Sequence, residues 1–146
     1  MTFEKGILKE FDLVSWPVNL VVVIGALEEE VNKLYIPVEA GYNYIVNDNW
    51  NGGRTYIVEN KEGGRCLMVW FNSQEFCRTS IVSHEAGHVA LEIFKYTNSK
   101  VDVENQEPFC YLLGTIARLI VGTLYELPGV EPPTFHVNPD DSKEEK

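Results

Sequence analysis

The feature that most narrows the possible folds is the run Ser83-His84-Glu85-Ala86-Gly87-His88. It lies within residues 74–96, where Phe76, Ile81, Val82, Val89, Ile93 and Phe94 supply the apolar positions of a helical pattern. On a helix, side chains four apart share a face, so His84 and His88 present two imidazoles together. Glu85 follows about a quarter-turn round. A helix with that polar face must bury its other side, and the segment just before it supplies a sheet. Residues 55–59 and 66–71 read as two strands joined by Asn60-Lys61-Glu62-Gly63-Gly64, which carries the glycines a hairpin turn demands.

Upstream, residues 7–15 and 18–24 read as two strands separated by Trp16-Pro17. Val21-Val22-Val23-Ile24 is continuous and β-branched, which suits a strand covered on both faces. Residues 26–35 then look like a short helix, with Leu27, Val31 and Leu34 inward and Glu28, Glu29, Glu30 and Lys33 in solvent. Asn, Asp and glycine crowd residues 47–54, a loop. After the motif helix, residues 104–125 form a last long helix, its regular part beginning at Pro108, where the missing backbone donor costs least. The expected fold is therefore α+β: a small, mostly antiparallel sheet packed against two long helices.

Length and composition place this in one domain, residues 1–127, followed by an extended tail, 128–146, that ends in a run of charge and is expected to be disordered. A net charge of −10 offers no basic surface for phosphates and excludes a nucleic-acid partner. Residues 109–127 are apolar and about a membrane span in length. Arg118 at their centre would cost roughly 2.5–3.5 kcal/mol on insertion, so a helix buried in the core, with no membrane partner, is the expectation. Cys66, Cys77 and Cys110 are odd in number, and no secretory leader opens the chain. Both point to a reduced, cytoplasmic setting.

Two histidines at this spacing with an intervening glutamate are the pattern of a hydrolytic zinc site, which also needs a third protein ligand and an open position. Glu104, Glu107 and Cys110 are the candidates. Glu107, 19 residues beyond His88, leaves room for the chain to turn and bring a second helix back to the metal. Gly87, Ala86 and Ala90, with Gly114 and Gly122, would let the two helices approach closely.

With the hairpin, the motif helix and the glutamate helix in this order, residues 55–125 resemble a minimal zincin core of the gluzincin type. The His-Glu-x-x-His motif is the specific part. The resemblance implies that His84, His88 and Glu107 hold Zn2+, that Glu85 is general base and then acid, and that a protein or peptide is the substrate. It also implies that strand 66–71 is the edge beside which an extended peptide lies. Tyr111 and Arg118, with His136, are candidates for contacting substrate or stabilising an oxyanion. The chain departs from the thermolysin-like branch at Tyr111, where that branch has an aspartate, and from the metzincins at Leu91 and Phe94. Its size is similar to that of small metallopeptidase-like proteins of phages and mobile elements. A non-catalytic zincin-fold binding or assembly protein of such an element is the alternative function.

Overall fold

The hairpin forms, and it forms the middle of the sheet. In the computed structural model, which describes residues 1–38, 45 and 52–131, strand β4 (Gly53–Asn60) pairs antiparallel with β5 (Arg65–Phe71), from Gly53 opposite Phe71 to Glu59 opposite Arg65. The turn is closed by Asn60, whose Oδ1 accepts from the Gly64 N–H at 2.8 Å and the Glu62 N–H at 3.2 Å. Gly63 takes the left-handed φ of +83° that this turn requires.

Around it are β1 (Ile7–Asp12), β2 (Asn19–Ile24) and β3 (Tyr35–Pro37), in the order β1-β2-β5-β4-β3. Three of the four pairings are antiparallel and β2–β5 is parallel, so the sheet is mixed. Three helices complete the described residues: α1 (Glu28–Asn32), α2 (Thr79–Tyr96) and α3 (Glu107–Leu124). The class is α+β.

Alternation along the strands sorts their side chains onto two faces. Leu20, Val22, Ile24, Leu67, Val69 and Phe71 face α2 and α3 and form the larger core with Val82, Ala86, Val89, Ile93, Ile116 and Ile120. Val21, Val23, Cys66, Met68 and Trp70 point the other way, against Val31 of α1, Tyr35, Ile45, Tyr56 and Val58. The valine run of β2 is thus covered on both faces, as its composition predicts. What covers the second face is a smaller core, which makes the fold three-layered, with a thin outer layer around α1.

Several expectations are corrected. The helix over 26–35 shrinks to α1, because Tyr35-Ile36-Pro37 joins β4 as an edge strand, where a proline's missing donor does no harm. The helical run from 74 is broken: residues Gln74–Phe76 make one 3-10 turn, and α2 starts at Thr79. Strand β5 is no edge, since β2 and β4 occupy both its sides. Gly53 and Arg54, expected in a loop, belong to β4.

α3 is buried along one stripe, Leu112, Ile116, Ile120 and Thr123, rather than all round. By length and composition alone it is also the one helix among the described residues that could cross a membrane. The glycines do not form the helix crossing. A Cβ built at Gly87, Gly114 or Gly122 meets nothing within 4 Å, and it is Ala86 and Ala90 that are fully buried. The expected loop over 47–54 up to residue 51, and the tail from 132 onward with His136, lie outside the described residues.

Candidate metal centre

α2 runs across β4 and β5 and turns Val82, Ala86, Val89 and Ile93 into the core. That orientation leaves His84 and His88 on the opposite, exposed side. Their Nε2 atoms face each other at 3.1 Å, with ring centroids 4.8 Å apart and planes at 77°. Which nitrogen donates depends on the tautomer. Two imidazole nitrogens bound about 2.0–2.1 Å from a tetrahedral ion stand about 3.3–3.4 Å apart. The pair is therefore close to the bite of a shared metal, and its donor type suits zinc.

Glu85 behaves differently from its neighbours. It is 5% exposed, one of two buried polar or charged side chains among the described residues. It reaches down to β4, where the Thr55 hydroxyl donates to its Oε2 at 2.9 Å. Gly53, two residues before Thr55 on the same face of β4, makes room for the glutamate stem. A Cβ there would stand 3.1 Å from Glu85 Cγ and 3.3 Å from the Phe71 ring. Thr55 and Gly53 were missed from sequence. The available signal was a threonine at an inward-facing position of β4, opposite Val69, where an apolar residue would be expected.

The proposed third ligand is not brought to the histidines. Among the described residues, no three of His, Cys, Asp and Glu stand in a group that could hold a metal ion. The register of the helices explains this for Glu107. Phe94, near the end of α2, meets Phe109 at the start of α3, with ring centroids 5.5 Å apart. The first turn of α3 therefore lies beside Phe94, about six residues or 9 Å along the axis from His88.

The flank is wrong as well. At about 100° per residue, Phe94 projects roughly opposite to Glu85, so α3 packs on the side of α2 away from β4. Glu104, Glu107 and Cys110 are all exposed. Tyr111 and Arg118 share a groove of about 420 Å³ with Asp12 at the end of β1 and with Val14 and Trp16 of the β1–β2 turn, and no motif residue lines it. The structure does not bring these two together with the imidazoles.

Compared with protein-family models, with curated proteins and with solved structures, the chain matches none. The site must be judged on its own geometry. That geometry comprises an exposed imidazole pair at metal-binding separation and a buried, anchored carboxylate one residue along.

A second polar cluster lies at the far end of the other face. Glu10 of β1 accepts from Asn19 Nδ2 at 2.9 Å and Asn60 Nδ2 at 3.3 Å on Oε2, and from the Tyr35 hydroxyl at 2.9 Å and Cys66 Sγ at 3.6 Å on Oε1. Burial alone would raise its pKa, but the four hydrogen bonds outweigh it and the carboxyl titrates below its usual value. Burial and the adjacent Glu10 push the Cys66 thiol up to about 12, and burial pushes Cys77 up to about 12. With every Glu10 oxygen occupied by neighbours, this cluster is a cross-brace of the sheet.

Proposed function

We propose that this chain is a zinc-dependent metallopeptidase built on a minimal, zincin-like core. The observation that carries the reading is the combination of the 3.1 Å Nε2 pair of His84 and His88 with a buried Glu85 on the adjoining flank. His84 and His88 would hold the ion, which supplies Lewis-acid activation of water and of a substrate carbonyl. Glu85 accepts the proton of the attacking water and returns it to the leaving amine. With Oε2 engaged by Thr55, Oε1 is the oxygen left for that transfer. The substrate is a protein or peptide, and the three free thiols support a reducing, cytoplasmic setting.

A second reading is favoured by one specific observation. Glu107, Tyr111 and Arg118 do not converge on the histidines. A zincin-fold binding or assembly protein of a phage or mobile element, loaded with metal but not hydrolytic, would need no such convergence.

Two measurements separate the readings. The purified protein should bind about one zinc per chain, and His84→Ala or His88→Ala should abolish that binding. Glu85→Gln should keep the metal and reduce cleavage of a peptide library at least about 100-fold. Zinc binding without cleavage by the wild-type chain would assign the second reading, and no zinc binding would refute both.

A further inference from the structure

The geometry points to Thr55 as the positioning residue of Glu85. This rests on the peptidase reading, which gives the carboxylate something to be positioned for. A glutamate side chain has three rotatable bonds, and on an exposed helix face it would sample many orientations. Here one orientation is selected from outside the helix. Thr55 lies in the interior of β4, paired through β5 at Val69, so its backbone is held by the sheet.

Its β-branched side chain has few χ1 choices, and the hydroxyl meets Glu85 Oε2 at 2.9 Å. Gly53 completes the seat by letting the Glu85 stem approach β4 closely. The hydroxyl carries a single proton. While it donates to Oε2, the two carboxylate oxygens are no longer equivalent: one is anchored to the sheet and the other is free to face a water. His84 and His88 lie on the exposed side of α2, so the strand sets the carboxylate and the helix sets the imidazoles. Their relative placement depends on how α2 lies on β4.

A purely structural role, tying α2 to the sheet, would alter stability but not turnover. The test uses Thr55→Val, which keeps the shape and removes the donor, and Thr55→Ser, which restores the donor. Zinc affinity, peptide hydrolysis and crystal structures of the metal-free proteins are the readouts. For Thr55→Val the expected result is zinc affinity and KM within about twofold of wild type and kcat reduced at least about tenfold. The Glu85 carboxylate should leave its place beside β4. Thr55→Ser should restore kcat to within about threefold and return the carboxylate. Wild-type kcat in Thr55→Val, or an unmoved Glu85 in its metal-free structure, overturns the assignment. If the wild-type chain binds zinc but cleaves nothing, the peptidase reading fails by itself. The metal-free structures then decide whether Thr55 holds the carboxylate.

Discussion

Neighbouring residues of α2 meet opposite environments. His84 and His88 are exposed while Glu85, between them in sequence, is almost fully buried, because about 100° of helical rotation carries it over the edge of the solvent face towards β4. The histidine pair was legible from spacing alone. The burial of Glu85 was not, since it depends on which strand passes beneath. Glycine shows the same limit. The small residues of the two helices suggested a close crossing, yet Gly114 projects into open space on α3 and Gly87 does so on α2. A glycine with no packing role only weakens its helix. Gly114→Ala should therefore stabilise the protein by about 0.5–1 kcal/mol, measured as a higher urea midpoint at unchanged slope. A loss of stability would mean that a contact requires the glycine.

At the scale of elements, hydrophobic periodicity located the hairpin, β2 and the two long helices, because each buries a face large enough to impose its period on the sequence. It missed β3, whose three residues are too few to show a period and whose strand character comes from pairing with β4. It also overextended the start of α2, where one 3-10 turn intervenes between β5 and the helix. Helix register was illegible. The number of residues between His88 and Glu107 is compatible with a shared metal, but α2 continues two turns past His88 and α3 packs with its first turn beside Phe94. This separation has a direct consequence. Glu107→Ala should leave zinc affinity within about twofold of wild type, where removal of a true ligand would cost far more. Competition titration against a chelator would detect the difference, and a large loss of affinity would restore Glu107 as a ligand.

Across the whole molecule, one carboxylate bridges all five strands. Glu10 projects from β1 and accepts from residues of β2, β3, β4 and β5. Because its folded pKa is depressed below the usual 4.5, its contribution to stability is present above that value and is lost as pH falls through the folded value. Thermal unfolding followed from pH 7 to pH 3 should show this acid-side loss. Glu10→Gln should flatten it while lowering stability at pH 7 by about 1 kcal/mol, since the amide keeps one acceptor oxygen for donors that now use two. An acid profile identical in the variant would show that other carboxylates govern the transition. The sequence by itself determined the α+β class, the hairpin, the doubly covered strand and the side-by-side histidines, because each follows from a local period or a turn chemistry carried by adjacent residues. Only the tertiary structure decided that Thr55 seats Glu85, that Glu10 braces the sheet, that β5 is central and that Glu107 stands apart. Those facts depend on which distant segments pack together and in what register, and residue spacing along one chain does not encode the flank on which a neighbour arrives.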